Sequence, residues 1–190
     1  GLGVAALATH SYTLQILKYV LLISMAIGWA CEIMVGRLVG ARRFRQADDL
    51  VRKGVRNGML ASGACVLIAA LAAPWVVRGF TQDPAIVQAA QTLLWLSVAL
   101  ELGRVFNLIV IGALRATGDV HFPVWASAAS IVFILGLGSW LMGRWWGLNG
   151  IWLAYVLDEC WRGYLMWRRW QRRGWLPYAS QTARGLRLEK

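Results

Sequence analysis

Apolar residues run along this chain in long blocks rather than in alternation. Five blocks recur, near residues 14–35, 57–77, 89–114, 122–142 and 148–167. Each reaches the roughly 20 mostly apolar residues that a helix needs to cross the hydrocarbon core of a bilayer. Backbone N–H and C=O groups find no water there, so a helix is the element such a block predicts. The expected spans are about 11–39, 48–77, 84–116, 121–146 and 148–173. The fold class is an all-α integral membrane protein, a bundle of five transmembrane helices over 1–173, followed by a basic tail, 174–190, expected to be poorly ordered.

Local signals sharpen the boundaries. Residues 1–10 read as a small-residue lead-in, with Ser11 as the N-cap of the first helix. In the segment 41–56, Asp48 and Asp49 precede Arg52 and Lys53 by four residues, which predicts a charge-paired helix lying at the membrane surface. Asp83 before Pro84 reads as an N-cap and a proline at the first helical position. Thr117-Gly118-Asp119 is a turn, Pro123 falls in the first turn of the next helix, and Gly147 and Gly150 frame a tight reversal. Small residues inside the spans, such as Gly58, Ser62, Ala69 and Gly103, favour close helix packing, because lipid supplies little hydrophobic drive between helices.

Charge orients the bundle. Between the first two blocks lie Arg37, Arg42, Arg43, Arg45, Arg52, Lys53 and Arg56, and after the last come Arg168, Arg169, Arg172, Arg173, Arg184, Arg187 and Lys190. Arg115 lies between the third and fourth blocks, whereas the connections on the other side hold only Arg78 and Arg144. Cytoplasmic loops carry such an excess, so the chain is expected in the plasma (inner) membrane, multi-pass, with its C-terminus in the cytoplasm. An odd number of spans then puts the N-terminus outside, and the chain reads as the C-terminal fragment of a longer protein. The net charge of +11 sits mostly at span borders, where lipid headgroups account for it better than nucleic acid does.

Among 12 tryptophans, Trp75, Trp125, Trp140, Trp145, Trp146, Trp167 and Trp170 fall near span ends, as an amphipathic indole prefers. Trp29, Trp95, Trp152 and Trp161 lie deeper and are expected to pack between helices. Cys31, Cys65 and Cys160 have neither metal-ligand nor redox spacing. His10 and His121 lack partners at ligand spacing, so no metal site is expected. The spans leave almost no polar loop on which to build a catalytic centre, and the chain is not expected to be an enzyme.

Ionisable groups inside a span are costly and mark candidate sites. Glu101, Arg104 and Asn107 follow one another a turn apart in the third helix. Asp158 and Arg162 are four apart in the fifth, with Glu159 beside them, and Glu32 stands alone in the first. Two readings stand open. The pairs Glu101–Arg104 and Asp158–Arg162 neutralise each other within the bundle, or the carboxylates form a proton- or cation-linked site whose charge switches with occupancy. Glu101, deep in its helix and with polar company, is the first candidate. Glu159 and its neighbours come second, and Glu32, near the border, third.

Three stretches carry a resemblance. Residues 36–47 read G-R-L-V-G-A-R-R-F-R-Q-A, residues 112–123 read G-A-L-R-A-T-G-D-V-H-F-P, and residues 147–154 read G-L-N-G-I-W-L-A. In this order and at these helix borders they resemble the multidrug and toxic compound extrusion (MATE) transporters. The resemblance implies a two-lobe protein of which this chain is helices eight to twelve of the second lobe, partnered by a first lobe and by membrane lipids. It implies export of small amphipathic, often cationic compounds in exchange for sodium ions or protons by alternating access, with no further cofactor. Glu101 would lie on the tenth helix, an element that carries coupling-ion ligands in some branches. The alternatives are a related flippase for lipid-linked saccharides and a structural membrane subunit without transport. The flippase needs a strongly cationic cavity, and only Arg104 and Arg162 lie deep.

Overall fold

The computed structural model describes residues 3–79 and 81–188, and their side chains over 7–79 and 81–185. The described residues are almost wholly helical: α1 (Gly3–Gly40), α2 (Phe44–Arg78), α3 (Pro84–Ala116), α4 (His121–Ser130), a π-helical stretch (Ile131–Leu137), α5 (Gly138–Gln171) and α6 (Leu176–Leu188). At 1.5 Å per residue, α1, α2 and α3 each outrun a 30 Å hydrocarbon core. All three, and the run from His121 to Gln171, are long and apolar enough to cross a membrane.

That fourth run is two helices, not one. Gly147 has φ 58° and ψ −136°, a conformation open to glycine but not to a residue with a Cβ. The chain reverses there, and Gly150 comes back against the carbonyl of Met142 so closely that an added Cβ would lie 2.1 Å from its oxygen. Gly138 faces Ala154 and Gly143 faces Ile151 across the same hairpin. The five long helical segments expected from the apolar blocks are therefore present among the described residues, with the reversal at the two glycines that the sequence marks.

α3 is the axial element. It packs against α1, α2 and α5, and its buried residues run its full length, from Ala90 to Leu114. The α2 face turned inward repeats Ala47, Val51, Val55, Gly58, Ser62, Val66, Ala70, Ala73 and Val77, spacings of three and four that put them on one stripe. Small residues serve as expected: Gly58 lets α2 approach Ile109 and Val105, and Ser24 and Ser62 hydrogen-bond at 2.8 Å between α1 and α2. Such interhelical bonds contribute about 0.6 kcal/mol each in lipid, so packing density carries most of the association.

Several boundaries differ from expectation. Helix α1 is already formed at Gly3, so Ser11 lies inside it and donates to Leu7 O rather than capping. The charged segment after Arg43 is not a separate surface helix but the first turns of α2, which starts four residues earlier than read because Ala47 and Val51 already face the core. Of the two expected i,i+4 pairs one forms among the described residues: Arg52 Nε meets Asp48 Oδ2 at 3.1 Å, whereas Asp49 and Lys53 make no ion pair. Asp83 caps α3 through Ala85 N at 2.9 Å, with Pro84 behind it. Gly118, at φ 91°, makes the turn before α4.

The tail is the largest departure. Residues Leu176–Leu188 form α6, which packs beside the end of α1. Trp175 and Ala179 join the core, Ala183 is also buried, and Thr182 Oγ1 donates to Thr117 O at 3.1 Å. The composition there is polar and basic, which hides the spacing of Trp175, Ala179 and Ala183 at four residues. Asp119 is anchored to Arg169 at 2.8 Å, and Trp170 donates to Asp48 Oδ1 at 2.7 Å.

Gly150→Ala drives a Cβ into backbone that cannot yield, and is expected to cost about 2 kcal/mol or more. Gly185→Ala, with nothing within 4 Å of its Cβ, is expected to leave stability unchanged. Thermal unfolding in detergent, followed by tryptophan fluorescence, separates the two.

Candidate functional site

Glu101 sits at the middle of α3, with Arg104 and Asn107 each three residues further along, so all three point from one face. The second arm of the α5 hairpin lays Asp158, Glu159 and Arg162 beside that face. Gly103 makes the approach possible, since a Cβ there would lie 3.3 Å from Cys160 N. The two polar groups read separately along the chain are thus a single network.

Arg104 bonds Glu101 through its Nη1 and reaches Glu159 Oε1 at 3.7 Å. Asn107 Nδ2 donates to Glu159 Oε2 at 2.9 Å. Arg162 Nη2 bridges Glu159 Oε1 at 2.9 Å and Asp158 Oδ2 at 2.7 Å. Ser130 Oγ donates to Asp158 Oδ1 at 2.5 Å, closing the network onto the end of α4. Glu159 is the hub, since it meets Arg104 and Asn107 of the first group and Arg162 of its own. The Glu101 side chain is 0% exposed and that of Asp158 1%, while Glu159, Arg162 and Arg104 reach the surface at 13–20%.

Charge does not cancel. Three carboxylates face two guanidiniums, leaving one formal negative charge in excess. Three buried polar atoms also lack partners: Glu101 Oε2, Asn107 Oδ1 and Arg162 Nε. Two of these are acceptors, so the network has room for a further proton or cation. Unsatisfied buried groups cost about 1–3 kcal/mol each, more when charged.

Glu32 is not part of this network. It lies on α1 and pairs at 2.8 Å with Arg115 near the end of α3; both are partly exposed. It was read as standing alone, because a partner 83 residues away leaves no mark on local spacing. The expectation for the deep tryptophans also needs correcting. Trp152 is buried, donates to Ser97 Oγ at 2.8 Å and meets His10 edge-on at 5.1 Å. Trp29, Trp95 and Trp161 are instead 46–55% exposed on the outside of the chain. An aromatic in lipid or against a neighbouring protein surface is as comfortable as one between helices, so depth alone does not place it.

Ser130 was missed. It is one of several small residues before the π-helical stretch, and only the return of α5 shows it to be a carboxylate partner. π-helical turns are rare and concentrate at functional sites, and this one begins at the residue after Ser130.

The family model MatE matches residues 1–140. A relative described as "Uncharacterized transporter YisQ", from Bacillus subtilis, is 35% identical over 180 residues, which is 92% of this chain and 39% of the relative. "Probable multidrug resistance protein NorM" of Idiomarina loihiensis is 26% identical, covering 82% of this chain and 35% of that protein. "Multidrug resistance protein NorM" of Vibrio cholerae is 23% identical, covering 82% of this chain and 36% of its own length. The chain spans under two fifths of the length of these relatives.

Glu159→Gln takes away the charge that Arg104 and Arg162 share between α3 and α5, while each guanidinium keeps its other acid, Glu101 or Asp158. The expected loss is about 2 kcal/mol, on the scale of weakening hydrogen bonds between charged groups. Glu32→Gln, at a half-open pair, is expected to cost less than about 1 kcal/mol. Denaturant titration in micelles measures both.

Proposed function

The chain belongs to the MatE family, and from that premise we propose that it is part of a cation-coupled antiporter exporting amphipathic, often cationic compounds. The relatives named multidrug resistance proteins support export of drugs. The low share of their length that this chain covers supports a division of labour, in which the remainder of the transporter supplies an opposing lobe. The single observation carrying the coupling role is Glu101: a carboxylate at mid-helix, wholly buried, with one oxygen unpartnered in a network of excess negative charge.

Desolvation disfavours a bare carboxylate, and Arg104 and Arg162 together do not balance three acids. Uptake of one proton or one sodium ion brings the network to neutrality. Release restores the excess charge, and the two states differ in how tightly α3 and α5 are drawn together. Alternating access needs such a difference: binding on one side of the membrane biases which side the cavity faces. Glu101 is the coupling residue on this reading. Asn107 and Glu159 supply neighbouring oxygens, and Arg104 and Arg162 hold the acids in register. Glu32 keeps α1 against α3 and takes no part in coupling.

The flippase reading asks for cationic groups free to hold a diphosphate, and both deep arginines are engaged with carboxylates. A purely structural subunit asks for charges that cancel, and these do not.

In the full-length transporter, Glu101→Gln is expected to abolish ion-driven efflux while leaving expression and membrane insertion intact. Unchanged coupling would remove Glu101 from the mechanism. The basic connections are placed on the cytoplasmic side, so a cysteine at Gln82 is expected to react with an impermeant maleimide on intact cells, and one at Gln46 only after permeabilisation.

A further inference from the structure

A cavity of about 340 Å³ opens where the turn from α1 to α2 meets the turn from α5 to α6. Both turns are tight, with Arg42 at φ 57° and Arg173 at φ 55° closing the preceding helices. The apolar wall of the cavity is fixed. Trp175 stacks on Trp170 at 4.5 Å, donates its indole N–H to Trp170 O at 3.1 Å and meets Phe44 edge-on at 6.4 Å. Leu176 completes this side. Asp48 is held by Trp170 and Arg52.

The other lining side chains are charged and free. Arg45, Asp49 and Arg173 line the same cavity and make no ion pair or side-chain hydrogen bond among the described residues. The cavity therefore offers two guanidiniums, one unpaired carboxylate beside a second, and an aromatic wall. It lies at the arginine-rich ends of α2 and α5, at the borders of the expected spans 48–77 and 148–173, where lipid headgroups are expected.

We infer that this cavity binds the headgroup of a zwitterionic aminophospholipid, with the phosphate on Arg45 and Arg173, the ammonium on Asp49, and the glycerol end against Phe44 and Trp175. A guanidinium pair suits a phosphate, and charge-assisted bonds of this kind are about twice as strong as neutral ones. A simple anionic headgroup would satisfy the arginines and leave Asp49 facing negative charge. A quaternary choline lacks the N–H donors that Asp49 accepts. The assignment owes nothing to the transport reading, since none of these residues touches the Glu159 network.

The test is native mass spectrometry of the purified 190-residue chain, released from detergent with equimolar phosphatidylethanolamine, phosphatidylglycerol and phosphatidylcholine of matched acyl chains. Phosphatidylethanolamine is expected to be retained about tenfold over the other two, on the strength of one charge-assisted contact. Asp49→Asn is expected to bring its retention down to that of phosphatidylcholine, and Asp49→Glu to preserve the preference. Arg45→Gln with Arg173→Gln is expected to weaken all three by about tenfold or more. Soluble glycerophosphoethanolamine at millimolar concentration separates the sources. Displacement of the lipid only at large excess fits a membrane lipid; displacement at parity would reassign the cavity to a soluble phosphate ester. Retention of phosphatidylglycerol equal to or above phosphatidylethanolamine overturns the assignment, as does an Asp49→Asn variant with an unchanged preference. Circular dichroism confirms that each variant remains helical.

Discussion

An ion pair that contributes almost nothing at a water-exposed surface becomes obligatory when hydrocarbon surrounds it, because the alternative is a bare charge with no solvent. The α3–α5 contact is built around that constraint. Glu101 and Asp158 are buried acids, and neither is satisfied by its own helix alone. Glu159 ties Arg104 and Asn107 on one helix to Arg162 on the other. The small residues follow from this: Gly103 and Gly163 are where the two helices must come close enough for short side chains to meet. Packing and electrostatics therefore specify the same register, and shifting α5 by one residue would break both.

The two ends of the bundle are stabilised differently from its middle. At one end the order comes from aromatic stacking of Trp175 on Trp170, from the Thr182 hydroxyl on the Thr117 carbonyl, and from the ion pair of Arg169 with Asp119. Those contacts draw in α6 and hold the turn before α4. Along the outside, by contrast, the stretch from α4 into α5 leaves Trp125, Phe133, Trp140, Trp145 and Trp146 open. That distribution suits a protein whose outer face meets lipid or another protein surface rather than water.

How much of this was visible in the sequence depended on how far apart the interacting residues lie. Helices whose signals are local were read nearly to the residue: Asp83 and Pro84 start α3, and Gly147 reverses α5. The charged residues Glu101, Arg104, Asp158 and Arg162 announced themselves by being in apolar blocks at all. Their union was not visible, since Asn107 and Glu159 are 52 residues apart and nothing in either helix fixes its rotation. The same holds for Glu32 and Arg115. Ser130 gave no signal, because a serine in a membrane helix more often bonds its own backbone, as Ser11, Ser24 and Ser97 do. For α6, arginine content outweighed a three-residue apolar stripe. A short polar segment carries too little apolar surface to declare itself until it has something to lie against.

The reversal at Gly147 also bears on how the chain reaches this state. Contacts between its two arms zip outward from the turn, from Gly143 with Ile151 and Gly138 with Ala154 to Ser130 with Asp158, so closing the loop costs little entropy and does not wait on the rest of the protein. The pair can assemble as soon as it leaves the ribosome and cross the bilayer together. What remains is the side-by-side docking of this preformed pair onto α3, the step at which three acids and two arginines must leave whatever partners they hold and find one another. The slow, error-prone stage of biogenesis is then lateral recognition within the membrane plane, and defects there would yield an inserted but unassembled polypeptide.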